Sequence, residues 1–436
     1  MISGVPSGKF SALLVITILL IFWNVPLFGE DLSGKLIRID HVVYNIDGNT
    51  RVNALVKDLN WEYGRVFSSV YQLDSYLQKQ RQTLINKKVF QTVLTSYHII
   101  KSEELIMDVE VTVTLEDSWT FLPIPVYTFD DNLGLVMGLG LDYKNVAGTL
   151  TNFKLTSYYS DLKSEIIADW TKLRAGSLFL DLRFNQLWET IKTADSNGNV
   201  DLEYSYIQTE FRISINFPII PSLQYSARPI LRWPYAYNFI YNSTDFENSQ
   251  FTLTGTVPAY NHFLQWDSVN WIGSLRQGIN ASIENQIEYD YQKGRFVSWV
   301  DSKFKTYLYT PVISYNARIS SFYYYNDFKR NAGDRLRGIL DYKLDGDRGL
   351  YLNQSFPFNA VSIEKIGDLQ ISPFIDMGFV KRRNEQLVKN DIQYTAGIAI
   401  ILFPAILSSF SLTMDAGINL REPGETEIGI NSLLYF

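Results

Sequence analysis

From Ser118 onward the sequence repeats one device, an apolar residue followed by a polar one, for the remaining 319 of 436 residues, interrupted only by Asn, Asp, Gly and Pro turns. Phe211, Ile213, Ile215 and Phe217 alternate with Arg212, Ser214 and Asn216; Leu178, Leu180, Leu182 and Phe184 alternate with Asp181 and Arg183; Ile287, Tyr289 and Tyr291 alternate with Glu288 and Asp290. A period of two marks β-strands with one apolar face. In a soluble sandwich the charged face meets water outside, whereas in a barrel it meets a wet lumen and the apolar face meets lipid. Segments of 10 to 14 residues are long enough to cross a bilayer when tilted. After residue 29 no run approaches the roughly 18 apolar residues of a spanning helix. Aromatics reach 15% while charged residues fall to 19%, a mixture that suits lipid-facing strands. The expectation is a mostly β protein, a transmembrane antiparallel β-barrel over residues 118–436. At roughly 20 residues per strand and connection it has about 16 strands, with 14 or 18 fitting nearly as well.

Two segments precede it. Lys9 and the largely apolar Phe10–Trp23, closed by Asn24, Pro26 and Gly29, have the anatomy of a signal peptide over residues 1–29, with a retained anchor as the alternative. Residues 36–117 then change period in order. Ile37, Ile39, His41 and Val43 read as a strand. Val52, Leu55, Val56 and Leu59 read as a short helix capped by Asn49 or Thr50. Val70, Leu73, Leu77, Leu84 and Ile85 give a longer helix to about Lys87, and two antiparallel strands follow, Val93, Thr95, Tyr97 and Ile99, then Leu105 to Leu115. Such a β-α-α-β-β unit covers one sheet face with helices and leaves an edge that accepts an incoming strand, unless it is an ordinary α+β module without a partner.

Other chemistries find no support. A net charge of −7 without a basic block argues against nucleic acid. The absence of cysteine removes disulfides and thiolate metal sites. His41, His98 and His262 are distant in sequence and form no H-E-x-x-H pair, and neither a G-x-S-x-G elbow nor a phosphate-binding G-x-x-x-x-G-K-[ST] loop is present. Asp345-Gly346-Asp347 lacks the later glutamate of a calcium loop and reads as a turn. The chain is expected not to be an enzyme and to need no cofactor or metal.

Four motifs in order carry a family resemblance. Asp47-Gly48-Asn49-Thr50 and Val89-Phe90-Gln91-Thr92-Val93 resemble the corresponding signatures of a POTRA domain. Phe121-Leu122-Pro123-Ile124-Pro125 and Asp131 through Gly148-Thr149 are similar to the entry and first hairpin of BamA/TamA-type barrels. Arg335-Leu336-Arg337-Gly338-Ile339 resembles the tip of the long sixth extracellular loop of that superfamily, which folds back into the lumen, and Phe374-Ile375-Asp376-Met377-Gly378 resembles its F-x-D-x-G strand. The clean alternation of Ile392–Leu402 and Leu412–Leu420, and a terminal Phe436, suit the C-terminal strands of such barrels.

The resemblance implies one POTRA domain in the periplasm, a barrel in the bacterial outer membrane, and a loop lock made by Arg337 and Gly338 with Asp376 and Gly378. A guanidinium fork meeting a carboxylate bidentately, with glycines allowing close approach, makes that pair physically reasonable. Ile339 stands where the family has an aromatic. Clients are unfolded barrel or secreted polypeptides, with outer-membrane lipid as solvent and accessory periplasmic or lipoprotein subunits as further partners. They are expected to engage by β-augmentation at the POTRA edge (Val93, Thr95, Tyr97, Ile99) and at a lateral seam. That seam is placed between a glycine-rich first strand, Leu133–Asp142 with Gly134, Gly138 and Gly140, and a last strand ending at Phe436, tight packing being the alternative role of the glycines. The alternative functions are a polypeptide secretion channel, against which the short interval from Gly29 to Leu36 counts because it leaves no room for a plug helix, and a passive pore.

Overall fold

The computed structural model describes residues 35–59, 61–130, 134–194, 200–241, 255–290, 294–327, 329, 332–339, 344, 346–363, 366–382, 385–388, 391–405, 410–422 and 426–434. The expected signal peptide and Phe436 lie outside them. The chain divides into two compact units. The first takes the described part of Met1–Val42 with Glu62–Leu77 and Tyr97–Val111; the second takes Val43–Trp61, Gln78–Ser96 and everything from Thr112.

The N-terminal elements are β1 (Leu36–Asp47), α1 (Val52–Leu59), β2 (Val66–Phe67), α2 (Val70–Asn86), β3 (Phe90–Ser102) and β4 (Ile106–Asp117), with sheet order β2-β1-β4-β3. Spacing explains them. Leu55 and Leu59 lie four apart and are buried, as are Leu73, Leu77 and Leu84 on α2, while Val109, Val111, Val113 and Leu115 alternate into the core from β4. The short β2 was not legible as a strand; it pairs Phe67 with Ile37 and Val66 with Arg38. The alternation expected along β1 also breaks, since Ile37 and Ile39 are buried but Asp40 and His41 are both exposed. Leu36 N donates to Leu105 O and Arg38 pairs with Asp108, whereas Thr50 meets Asp117, so partners rise together and β1 runs parallel to β4.

The remaining strands form a closed antiparallel barrel: β5 (Phe121–Asp130), β6 (Gly134–Tyr143), β7 (Asn152–Tyr159), β8 (Lys163–Ala175), β9 (Leu178–Ala194), β10 (Val200–Ile220), β11 (Leu223–Tyr241), β12 (Val257–Asp267), β13 (Asn270–Ile272), β14 (Leu275–Asp290), β15 (Arg295–Leu308), β16 (Tyr315–Tyr325), β17 (Arg348–Ser355), β18 (Phe358–Ile363), β19 (Gly367–Lys381), β20 (Gln393–Pro404), β21 (Phe410–Asn419) and β22 (Thr426–Leu434), with β22 closing on β5. These are 18 labels, but β12 and β13 share the partner β14, and β17 and β18 share β19. Each such pair is one interrupted wall strand, so 18 less 2 gives 16. Several strands exceed the expected 10 to 14 residues, with 17 in β9, 21 in β10, 19 in β11 and 16 in β14. Alternation continues past the length a bilayer requires, so period alone did not set the ends.

One expectation is corrected. The glycine-rich segment is the second barrel strand, β6, and the strand that closes on β22 is β5. Phe121–Pro125, which resembles an entry segment, lies within β5, where Pro123 and Pro125 each lack a ladder donor. In the closed barrel they sit opposite Leu141 and Leu139 of β6. Gly134, Gly138 and Gly140 therefore do not line the closure. A Cβ on Gly138 would stand 2.0 Å from Ser157 O of β7, so close backbone approach is the reason for that glycine.

Register separates two faces. Across β6 to β10, Asp142, Lys154, Asp169, Arg183 and Arg212 are direct neighbours in one charged row. One residue away, Tyr143, Phe153, Trp170, Leu182 and Ile213 form an aromatic and aliphatic row on the opposite face, where Trp170, Leu182 and Ile213 are each 41–47% exposed. A surface of that kind is stable against lipid, not water. Among the described residues no helix is long and apolar enough to cross a membrane. Gly138→Ala is expected to lower the temperature at which the folded barrel loses its compact electrophoretic mobility in detergent gels, whereas Gly176→Ala, which meets only the backbone strain of φ +64 with open space around its Cβ position, costs less; equal shifts would contradict the close-approach account.

Candidate functional site

The connection between β16 and β17 returns into the barrel. Its tip touches five strands: Arg335 bonds Asp301 on β15, Arg335 O accepts from Arg318 on β16 and Asn353 on β17, Arg337 reaches Asp376 on β19, and Gly338 lies against Gly417 on β21. A segment meets so many staves at once only from the lumen. Arg318, Asn353, Asp376, Thr395 and Asn419 are cross-strand neighbours and make a polar inward row, in which the last four are buried.

The expected loop residues come together. Arg337 donates from Nε to Asp376 Oδ2 at 2.8 Å and from its terminal nitrogen to Oδ1 at 2.7 Å, a bidentate pair whose carboxylate is fully buried. The guanidinium carbon sits 3.7 Å from the Phe374 ring centroid, so stacking is supplied from β19, while Ile339 is itself buried. Gly338 has φ +92, and a Cβ there would meet Gly417 C at 2.8 Å; a Cβ on Gly378 would meet Tyr351 Cδ1 at 2.7 Å. The glycines thus make the space into which loop and wall close.

Phe322, Ala332 and Val380, which sequence reasoning did not single out, complete the seat. Leu336, Ile339, Ala332 and Tyr351 form a buried cluster with Phe322 and Val380, and the Tyr351 hydroxyl donates to Ala332 O at 2.7 Å. The available signal was the twin arginine, since Arg335 and Arg337 lie two apart around a leucine. Breaking a buried ion pair costs about 3–5 kcal/mol, and the 31% exposure of the Arg337 side chain places this one towards or below the lower end. Arg337→Ala is expected to open the β16–β17 connection to added protease while the barrel itself stays folded; an unchanged cleavage pattern would refute the lock.

Within the second unit, the turn after β6 grips the start of α1. Asn145, Ala147 and Leu150 all have positive φ, between 49° and 60°, an accumulation that persists only where surroundings over-determine it. Arg51 N donates to Gly148 O at 2.9 Å, Asn145 Nδ2 donates to Thr50 Oγ1, and Asn145 Oδ1 accepts from Leu150 N at 2.8 Å. Asp117 in turn accepts from Asn49 N, Thr50 N and Thr50 Oγ1. The Gly-Asn-Thr motif therefore serves this junction, and the Thr50 hydroxyl expected to cap the helix is engaged here instead. Nearby, the Lys88 ammonium lies 4.2 Å from the Trp271 ring centroid, and burial, with Arg276 close by, holds its pKa down to about 8.

The strand-accepting residues Val93, Thr95, Tyr97 and Ile99 fall on β3, which is an outer strand of its sheet. Val93 is buried, Thr95 and Tyr97 are partly so, and Ile99 is 56% exposed. In the first unit, two of the three sequence-distant histidines meet on one carboxylate: His41 Nε2 contacts Glu110, and His98 Nε2 lies 3.3 Å from it, while His41 Nδ1 is 2.9 Å from Asp40. Adjacent strands made this neighbourhood, which separation in sequence concealed. The Asp40 contact, with Glu110 adding to it, holds the His41 pKa above its ordinary 6.5. A raised folded value stabilises below 6.5, and the contribution is lost as pH rises through the folded pKa. Amide protection factors along β1, taken relative to intrinsic base-catalysed exchange, are expected to fall over that rise in the wild type and not in His41→Gln.

No family model matches the sequence, and no curated protein matches it. The fold, however, is shared with solved barrels. CdiB from Acinetobacter baumannii superposes with a TM-score of 0.59 at 16% identity over 92% of this chain and 74% of that one. BamA from Haemophilus ducreyi lacking POTRA domains 1–3 gives 0.53 at 12% identity over 91% and 84%, and CdiB from Escherichia coli gives 0.52 at 9% identity over the whole of both chains. The chain has the architecture of BamA- and CdiB-type barrels.

Proposed function

We propose that this chain is a barrel of the bacterial outer membrane that helps other polypeptides into or across that membrane, and that it is not an enzyme. The observation that carries the reading is the loop seated inside the lumen by Arg337 and Asp376, in a barrel of the BamA and CdiB fold. A passive pore has no use for a lumen held partly filled in this way. In this reading residues 36–117 are a periplasmic POTRA domain, and its β3 edge receives client strands by main-chain pairing.

Insertion of membrane barrels, rather than secretion of one polypeptide, is the finer reading, and the closure supports it. β5 and β22 have 10 and 9 described residues and their neighbours β6 and β21 have 10 each, against 21 in β10, so this flank of the barrel is held by fewer ladder bonds than the opposite one, and the prolines of β5 set the closure apart within it. Pro123 and Pro125 lie two apart, and residues two apart direct their N–H groups towards the same neighbour, so one edge of β5 lacks two donors. A seam of this kind opens at lower cost than its neighbours and offers an edge to a client. Client folding and burial in lipid supply the free energy, and accessory periplasmic or lipoprotein subunits bring clients to the site.

Two measurements test this. Depleting the protein is expected to remove several unrelated barrels from the outer membrane; loss of a single exported polypeptide would favour the secretion channel, and no loss would favour a pore. Because the chain has no cysteine, a Leu122→Cys variant combined with a cysteine scan of β22 allows the seam to be closed covalently. A disulfide formed there is expected to abolish function reversibly, with recovery on reduction; full activity in the oxidised form would overturn the lateral seam.

A further inference from the structure

The second unit contains a cavity of about 1960 Å³, lined by α1 and the turn before it, the end of α2, the strands β6 to β11 and single residues of β12 and β14. Its charge is opposite to that of the molecule. Nine lysines and arginines line it against five carboxylates, although the whole chain carries −7.

Three of the five carboxylates are paired with lining cations, and Asp142 lies 3.8 Å from Lys144, which is outside the lining. Asp58 is shared by Lys87 and Arg174, Asp169 is bidentate to Arg183, and Glu284 holds Arg228. Asp181 accepts from the Lys172 backbone N at 2.8 Å and from Asn216 at 2.7 Å, both neutral donors, and keeps its charge. The side chains of Arg51, Lys57 and Lys172 have no hydrogen-bonded carboxylate among the described residues, and all three residues are exposed to the space they line. Lys172 occupies a bulge of β8, between Trp170 and Leu173, with φ +61. A lysine held in a left-handed bulge at a cavity wall is positioned by the backbone, not by an ion pair.

We infer that this cavity binds an extended acidic polypeptide segment. The inference rests on the client-handling reading above and names the class of segment handled. The space exceeds the roughly 300–1,000 Å³ of small-molecule pockets and has room for an extended chain. The charged row from Asp142 to Arg212 crosses five strands, four gaps of about 4.8 Å, or roughly 19 Å. An extended chain rises about 3.3 Å per residue, so some six residues lie along it. The row belongs to the inward face, which favours a peptide in the lumen over a lipid at the wall. Trp170 and Leu182 of the outer face also reach the lining, so an anionic phospholipid is the competitor that the test must separate.

The test uses the full chain in a neutral detergent and three fluorescent peptides of about a dozen residues: glutamate-rich, lysine-rich and glycine-serine. The glutamate-rich peptide is expected to bind at least about tenfold more tightly than either other, with the preference lost between about 50 mM and 0.5 M salt. Arg51→Gln with Lys172→Gln is expected to weaken it about tenfold while compact electrophoretic mobility is kept. Equal binding of the three peptides, or no effect of the double variant, would overturn the inference. So would displacement of the acidic peptide by phosphatidylglycerol but not by phosphatidylcholine micelles, which would assign the cations to a lipid. Because this readout is direct binding, a failure here leaves the depletion result standing, and a failure of depletion leaves the binding result standing.

Discussion

A backbone N–H or C=O left without a partner in hydrocarbon costs several kcal/mol, and that penalty governs this molecule more than any side-chain contact. A sheet in lipid escapes it only by closing. Closure fixes an even wall of 16 staves, and the two-residue pleat then allots every second side chain to the lumen. The row from Asp142 to Arg212 and the apolar row beside it are the two products of that division. Charges that would be ruinous outside are inexpensive within, where water and ion pairs receive them.

A wet interior creates the next problem, because a wide polar tube without contents has little to pack. The β16–β17 connection answers it with a small core of its own, built on Leu336, Ile339 and Tyr351, and a bidentate pair at its tip. Glycines on both partners matter as much as the charges. With side chains at 338, 378 and 417 the backbones would stand off, and the guanidinium would fall short of Asp376. Hydrophobic seat, close approach and ion pair therefore depend on one another.

Much of this was legible from period and motif. The two helices and the barrel follow from alternation, which left the strand number open between 14 and 18, and the Arg337–Asp376 partnership is what the family resemblance implied. What escaped was set by register. The resemblance marks Phe121–Pro125 as an entry and Leu133–Asp142 as the first strand, one strand later than the closure on β5, and the observed task of Gly138 is to admit Ser157 O. His41 and His98 share Glu110 because neighbouring strands bring them there, and no spacing along the chain encodes it. The Gly-Asn-Thr turn was recognised as a motif, but its partners, Asp117 and Asn145, are fixed only once the sheet and the first hairpin have formed.

The unequal stave lengths have one more consequence. A strand of 21 residues is about 69 Å long, and at a tilt of some 40° it still rises about twice the height of the roughly 25 Å apolar band. The β10–β11 hairpin must therefore stand well clear of the bilayer on the side away from its tight Pro221-Ser222 turn. It forms a parapet on one flank of the rim, and whatever approaches from that side of the membrane meets this ledge before it meets the lumen.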